Sequence, residues 1–598
     1  MRNSRHNRAP QAGPPRIVGY NVGVNRRVGN LAKLFLTLGG LLPSLLAAEP
    51  VASPPVVHHA IGTGGAVASP HPLATRAGLD VLRKGGTAID AIAAVGLTLG
   101  VVDSHNSGIG GGCFLLVRLP DGVFLALDGR EMAPAAAARD MYLRDDGTAD
   151  TAASRTGARA AGIPGSLAVY DHALRKHGSS TLASHLNNAA LIAELGFRIN
   201  SKFSSRLEAE QNGLARFAGL GSAFFQKGGK VLAGGDVLRQ PDLAETYRSI
   251  AREGIGWFYG GAFADATAAW MRDHGGIITR NDFENYKIRE REAIRTAYRG
   301  YAIVGFPPPS SGGTHVAQIL NILEPFDLAG SSETERTHLI IEAMKLAFAD
   351  RAHWLGDSDY VKVPTAGLVS AAYARKLAAR IDSEKATSVP GHGEPGQPAE
   401  KHTAHFTAVD QDGCWAACTA TLNTSFGSKV LIPGTGVLLN NQMDDFSIKP
   451  GVPNAFGLVG AEANAIAPGK RPLSSMSPTI VLKDGRPILT VGAAGGPTII
   501  TQSLLTIINT LDLRLSLHEA VKAPRFHHQW RPDFVAVEKG LDPILLSALE
   551  ARGHTLKSRA SFGTCQAIAF QQGTGSFSAV SEPRAEGAAG CVKPEGTD

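Results

Sequence analysis

The chain has 598 residues, with 59 Lys and Arg against 53 Asp and Glu, a formal charge of +6 and a sequence pI near 9.0. A hydrophobic share of 43% and a charged share of 19% exclude wholesale disorder; 69 glycines without a three-residue period exclude collagen, and five cysteines exclude a disulfide scaffold. At roughly 150 residues per domain the length sets a prior of about four domains, and the basic balance raises nucleic acid or an anionic membrane as a partner.

The charge sits at the start. Residues 1–48 carry Arg2, Arg5, Arg8, Arg16, Arg26, Arg27 and Lys33 and no acidic residue. An apolar stretch, Leu34 to Leu46, follows, then Ala47-Ala48-Glu49: basic, apolar and small in the order of a secretory signal. With Gly39, Gly40 and Pro43 inside it, the stretch is too short and broken for a membrane span of about 20 residues. A cut after Ala48 leaves 52 basic residues (59 less the seven above) against 53 acidic ones, a net charge of −1. Nucleic acid is therefore not expected as a partner, and a periplasmic or secreted location is.

Apolar residues at three- and four-residue spacing from His71 to Val102 predict two helices separated by Gly85-Gly86. Strands are expected at Phe114–Leu119 and Val123–Asp128, joined by the turn Pro120-Asp121-Gly122. Helical segments are expected to dominate from about Ser166 to Asp382, interrupted at Phe306-Pro307-Pro308-Pro309-Ser310-Ser311-Gly312-Gly313. Residues 384–402, rich in Pro, Gly and polar side chains, read as an exposed, mobile linker. Beyond it the texture changes to strands, His405–Val409 and Cys414–Leu422, around a turn at Asp410-Gln411-Asp412-Gly413. Cys414 and Cys418 fall about 13 Å apart along such a strand, too far to bridge, and all five cysteines read as structural.

The switch from linker to strand is the most informative place. A Thr opening a strand, as Thr403 does, is ordinary by itself. Its company is not: Thr421-Leu422-Asn423-Thr424-Ser425-Phe426-Gly427, Pro433-Gly434-Thr435-Gly436, Asn440-Asn441-Gln442-Met443-Asp444-Asp445-Phe446, Gly469-Lys470-Arg471-Pro472-Leu473-Ser474-Ser475-Met476-Ser477-Pro478 and Gly495-Gly496 follow in order. With Ser104–Gly112 and Asp128-Gly129-Arg130-Glu131 upstream, these runs resemble the γ-glutamyltransferase (γ-glutamyl transpeptidase) family, from about Gly65 almost to the C-terminus.

The resemblance implies an α+β fold of the N-terminal nucleophile hydrolase type, a four-layer αββα sandwich formed jointly by two subunits. It implies a precursor that cuts itself between His402 and Thr403, giving a large subunit, 49–402, and a small one, 403–598, as a heterodimer from one chain. One intertwined unit then replaces the four-domain prior.

The chemistry follows from residue types. A Thr hydroxyl needs a base, and the α-amine freed on Thr403, with a reference pKa of about 7.7–8.0, can be one. Uncut, that nitrogen is an amide and cannot, so processing switches the enzyme on. Attack on an amide creates an oxyanion requiring fixed N–H donors, the role the resemblance gives Gly495 and Gly496, while Thr421 orients Thr403. A γ-glutamyl donor carries an α-carboxylate and an α-ammonium. The resemblance assigns the first to Arg130, Ser474 and Ser475 and the second to Asp445, Asn423 and Gln442. Glutathione or another γ-glutamyl compound is the expected donor, and water, an amino acid or a short peptide the acceptor.

Two departures stand out. Ala493-Ala494 precede the Gly pair where the family commonly has Ser and Pro. In the segment 445–468, long enough for a lid, Phe456 stands where such lids carry Tyr; a looser gate and more attack by water are expected. No metal or cofactor is expected: Gly108–Gly112 lacks dinucleotide-binding spacing, and His58-His59 and His527-His528 lack the spacing of a metal site. Two alternatives stay open: a glutaryl-cephalosporin acylase-like amidase of the same family, and a non-processed binding protein.

Overall fold

The computed structural model describes residues 49–395 and 405–593. The expected signal segment 1–48 and the His402–Thr403 bond lie outside the described residues. Two seven-stranded sheets organise the rest. The first runs His59–Gly62, Ser576–Ser581, Thr564–Gln571, Arg486–Ala494, Thr479–Lys483, Tyr301–Gly305, Ile294–Tyr298. The second runs Ala588–Cys591, Gly65–Ser69, Phe406–Asp410, Trp415–Thr421, Gly112–Arg118, Phe124–Gly129, Arg289–Arg291. Every neighbouring pair in both is antiparallel.

Side-chain alternation explains why the sheets stack. Along Gly112–Arg118, Cys113, Leu115 and Val117 join one apolar cluster, and Phe114 and Leu116 join the other. The same parity separates Ala416 and Cys418 from Trp415 and Ala417 on the adjacent strand. The inward residues meet the other sheet: Phe114 packs against Phe306 with ring centroids 4.8 Å apart, and Thr407 Oγ1 lies 3.1 Å from Thr490 Oγ1. The outward ones pack on helices.

On the outer face of the second sheet lie Pro72–Arg83, Ala88–Val102 and Ser166–His177. Pro72 opens the first of these, where its missing N–H costs nothing. Ala88–Val102 is buried along its whole length and starts with a capping box between Thr87 and Asp90. The other sheet is covered by Gly312–Leu323, Glu333–Trp354 and Thr498–Leu511. The layers are helix, sheet, sheet, helix, as the resemblance implies. Residues 50–598 form one compact unit, so the four-domain prior does not hold. Each sheet takes strands from both sides of residue 402.

Five strands were hidden inside the stretch read as helical: the short pair Phe197–Arg198 and Val237–Leu238, and Arg289–Arg291, Ile294–Tyr298 and Tyr301–Gly305. Arg289–Arg291 and Ile294–Tyr298 occupy sheet edges, where Arg289 and Glu290 face water and carry no apolar alternation to read, and Tyr301–Gly305 lies one place in from the edge. Thr498–Leu511, whose β-branched sequence TIITQSLLTIINTL suits a strand locally, folds as a buried helix. Burial on nearly every side outweighs its propensity.

The linker expectation needs correcting over its first part. Residues 384–395 are pinned: Ala386 N donates to Arg552 O at 2.7 Å, Trp530 Nε1 to Val389 O at 2.8 Å, and Gly393 N to Asp350 Oδ1 at 2.7 Å. All five cysteines are free. Among the described residues no helix is long and apolar enough to cross a membrane.

Phe114 is the natural probe of the sheet-to-sheet contact, since it is completely buried. Phe114→Ala is expected to cost about 3–5 kcal/mol. Urea denaturation followed by far-UV circular dichroism checks this, with the midpoint falling and the slope unchanged.

Candidate functional site

A cavity of about 480 Å³ opens where the second sheet's strand Trp415–Thr421 ends and the first sheet's Arg486–Ala494 ends. Most of the expected site residues meet there. Thr421, Asn423, Gln442, Asp445, Ser474, Ser475, Gly495 and Gly496 all line it. Thr403 lies outside the described residues; the chain resumes two residues later at His405, and Phe406–Asp410 pairs directly with Trp415–Thr421.

The Gly pair forms a hinge between strand and helix. Arg486–Ala494 runs into Gly495 and Gly496, at φ +140° and +64°, and Thr498–Leu511 begins two residues on. A Cβ on Gly495 would lie 2.3 Å from Phe562 O, and one on Gly496 2.6 Å from Phe456 Cδ1, so neither position admits a side chain. The loop is fixed by Thr498 Oγ1 donating to Gly495 O at 2.8 Å and Gln502 Nε2 donating to Ala494 O at 3.0 Å. Two backbone N–H groups beside a helix N-terminus form a positive corner. Phe456, from within 445–468, packs against that corner and lines the cavity.

Asn423 sits at φ +80°, a conformation Asn tolerates. Its Nδ2 donates to Asn441 O at 3.1 Å, while its backbone N donates to Thr421 Oγ1 at 2.8 Å. A 3₁₀ turn, Gln442–Asp445, presents Asp445. Asp445 Oδ2 accepts from Arg130 NH2 at 2.5 Å and Gln442 Nε2 at 3.2 Å, and Oδ1 accepts from Asn454 Nδ2 at 3.3 Å. Burial pushes the Asp445 carboxyl up, and Arg130 opposes that rise.

Arg130 departs from expectation in its exposure. It is 0% exposed and does not line the cavity. Its Nε donates to Pro472 O at 3.0 Å and its NH2 to Leu473 O at 3.2 Å. The presumptive carboxylate clamp and ammonium holder are thus each other's ion-pair partners. Beside them Glu131 is fully enclosed, 3.6 Å from Arg130 NH1, and burial raises its carboxyl to about 7.

Ser474 and Ser475 are placed by the Pro-Ser-Gly run that looked in sequence like a mere interruption. Ser474 N donates to Pro309 O at 2.7 Å, and Ser311 N and Oγ donate to Ser474 O at 2.8 and 2.9 Å. Arg351, from Glu333–Trp354, then bridges the two segments: Nε donates to Ser311 Oγ and NH2 to Ser475 Oγ, both at 2.8 Å. Arg351 and Asn454 were missed in sequence. No short motif marks them, and their reach follows only from packing.

One cluster carries metal-ligand types. Ligand atoms of buried His338, Glu342 and His554 lie within 4.8 Å of one another. His338 Nε2–H donates to Asp382 O at 2.7 Å, so its Nδ1 accepts from His554 Nε2–H at 2.8 Å; the Lys345 ammonium holds Glu342 at 2.8 Å. Their polar atoms are satisfied within the protein, which reads as a structural network.

Two facing antiparallel sheets between helical layers, with a cavity at the end of Trp415–Thr421, the strand paired with Phe406–Asp410, define an N-terminal nucleophile hydrolase. A cephalosporin acylase from Bacillus halodurans superposes with a TM-score of 0.80 at 28% identity, covering 92% of this chain and 99% of that one. The family profile described as gamma-glutamyltranspeptidase matches residues 74–592. A glutathione hydrolase proenzyme of Escherichia coli (strain K12) is 44% identical over 88% of this chain and 92% of its own, and an acylase proenzyme of Pseudomonas sp. (strain SE83) is 40% identical over 86% and 90%. A solved γ-glutamyltranspeptidase chain from Helicobacter pylori is 37% identical, with a TM-score of 0.53, spanning 95% of itself but 56% of this chain. The chain belongs to the γ-glutamyltranspeptidase family.

Glu131 gives a pH test of the buried charges. With its folded pKa raised to about 7 from 4.5, the folded state keeps a proton that the unfolded state has lost across that interval. Stability therefore falls as pH rises from about 4.5 to 7, by up to ~3 kcal/mol. Glu131→Gln is expected to remove that slope, read as Tm against pH beside the parent protein.

Proposed function

We propose that the protein is a γ-glutamyltransferase with glutathione hydrolase activity, made as a precursor that cleaves itself at His402–Thr403 into a large and a small subunit that stay together. The observation that carries the reading is the Arg130–Asp445 pair in contact at 2.5 Å, with Asp445 on the wall of the cavity that also holds Gly495, Gly496 and Thr421. Adjacent positive and negative groups complement an α-amino acid head, whose carboxylate and ammonium branch from one carbon. The Gly corner stands where the γ-carbonyl of such a group has to react.

In this mechanism the Thr403 hydroxyl gives its proton to the Thr403 α-amine as Oγ bonds to the γ-carbonyl carbon. The carbonyl π electrons move onto oxygen, which the N–H groups of Gly495 and Gly496 hold. As the intermediate collapses, the C–N bond breaks and the leaving amine takes the proton from the Thr403 ammonium. A γ-glutamyl ester remains. Water, an amino acid or a short peptide repeats the sequence in reverse, and Thr403 is restored. Thr421 orients Thr403, Arg130 with Ser474 and Ser475 serves the α-carboxylate, and Asp445 with Asn423 and Gln442 serves the α-ammonium.

The relatives named proenzymes support the processing step, and the basic–apolar–small order of residues 1–48 supports export to the periplasm or medium. The acylase relatives support a second reading, an amidase for glutaryl side chains. Retention of Asp445, Asn423 and Gln442 around one cavity favours a donor with an α-ammonium over one without it.

A denaturing gel beside a chromogenic assay tests the main reading. The parent protein is expected to show two bands and to release p-nitroaniline from γ-glutamyl-p-nitroanilide. Thr403→Ala is expected to show one full-length band and at least ~10³-fold less release. One uncut band in both proteins, with no release, would overturn the enzyme. Faster cleavage of glutaryl than of γ-glutamyl anilide would favour the second reading. With glycylglycine as acceptor, Phe456→Tyr is expected to raise the ratio of transfer to hydrolysis, measured from the two products by chromatography.

A further inference from the structure

The described carboxylates around the cavity pair with cations other than Arg351. Arg130 is paired with Asp445 at 2.5 Å and Arg155 with Asp444 at 3.2 Å. Arg351 is 4% exposed and lines the cavity, yet no carboxylate among the described residues lies within ion-pair distance of it. Its contacts with described residues are two hydroxyls, Ser311 Oγ and Ser475 Oγ. The Asp445 carboxylate favours its charge from beyond contact distance, but a buried guanidinium touching only hydroxyls is costly. Burial has drawn it down to about 10, still far above any working pH, so it stays charged.

The Ser475 hydroxyl says which side that anion approaches from. A guanidinium has donors only, so Ser475 Oγ must accept from Arg351 NH2, and its own O–H is left to donate elsewhere. No described residue takes that proton, and Ser475 faces the cavity. Arg130, by contrast, is enclosed, with Nε and NH2 committed to Pro472 O, Leu473 O and Asp445.

We propose that Arg351 is a specificity-determining residue of the donor pocket: it fixes the Ser475 hydroxyl and supplies a positive charge that selects donors bearing an α-carboxylate. The inference rests on the γ-glutamyl reading above and adds a second guanidinium to it. Ser311 is the positioning residue that aims the fork through Nε. Because the fork geometry matters, Lys is an incomplete substitute.

The test compares two donors on the processed enzyme: γ-glutamyl-p-nitroanilide and 4-aminobutanoyl-p-nitroanilide, which is the same acyl group without its α-carboxylate. The readout is the ratio of their kcat/KM values. Arg351→Gln is expected to lower that preference by about 10- to 100-fold, the size of a lost charge-assisted contact. Arg351→Lys and Ser475→Ala are expected to fall between Arg351→Gln and the parent. A purely structural loss would depress both donors alike and leave the ratio where it was. A preference within twofold of the parent in Arg351→Gln, or in Arg351→Lys and Ser475→Ala should the first variant fail to process, overturns the proposal. A parent enzyme that cleaves neither donor overturns the γ-glutamyl reading itself, a different result.

Discussion

Everything at the site hangs from backbone pairing of one short strand. Phe406–Asp410 hydrogen-bonds on one side to Gly65–Ser69 and on the other to Trp415–Thr421. A strand with neighbours on both edges has its register fixed twice, and a one-residue slip would turn every side chain to the wrong face. Here a slip would exchange Thr407, which meets Thr490 of the facing sheet, with Ala408, which packs beneath the helices. The position of this strand is thereby set in part by residues more than three hundred positions away in sequence.

The cavity then gathers its parts from both sheets and from the helical layer behind one of them. The Gly corner comes from the end of Arg486–Ala494, the Asn and Asp groups from loops after Trp415–Thr421, and the Ser pair from the segment entering Thr479–Lys483. Each is buttressed by a neighbour that touches no ligand: Gln502 behind Ala494, Asn454 behind Asp445, Ser311 behind Ser474. Supporting hydrogen bonds of this kind hold reacting groups to the tolerance catalysis needs.

How much of this was legible in the sequence follows from how far each signal reaches. The helices at Pro72–Arg83 and Ala88–Val102 were readable, because apolar spacing and Gly85-Gly86 are local. Thr421, Asn423, Gln442, Asp445, Ser474, Ser475 and the Gly pair were readable only as members of motifs, and the structure brings them to one cavity. The edge strands at Arg289–Arg291 and Ile294–Tyr298 were not, since half-exposed edges carry weak periodicity. Thr498–Leu511 carries no local helix signal, since its β-branched residues prefer strands and that preference yields to burial. Arg351 was invisible for a different reason. It lies late in a long helix amid other charges, and only the fold shows that its neighbours are hydroxyls rather than carboxylates.

Both sheets draw strands from each side of residue 402, as His59–Gly62 beside Ser576–Ser581 and Gly65–Ser69 beside Phe406–Asp410 show. Before cleavage such a chain refolds as one molecule, at a rate indifferent to how dilute it is. After cleavage the same hydrogen bonds join two polypeptides, and neither fragment keeps a complete sheet. Unfolding and dissociation become a single event, and reassembly becomes second order in protein. The cut that creates the terminal amine also turns a reversible folder into an assembly whose recovery from denaturation depends on concentration. Its persistence then rests on the slowness of opening rather than on the ease of return.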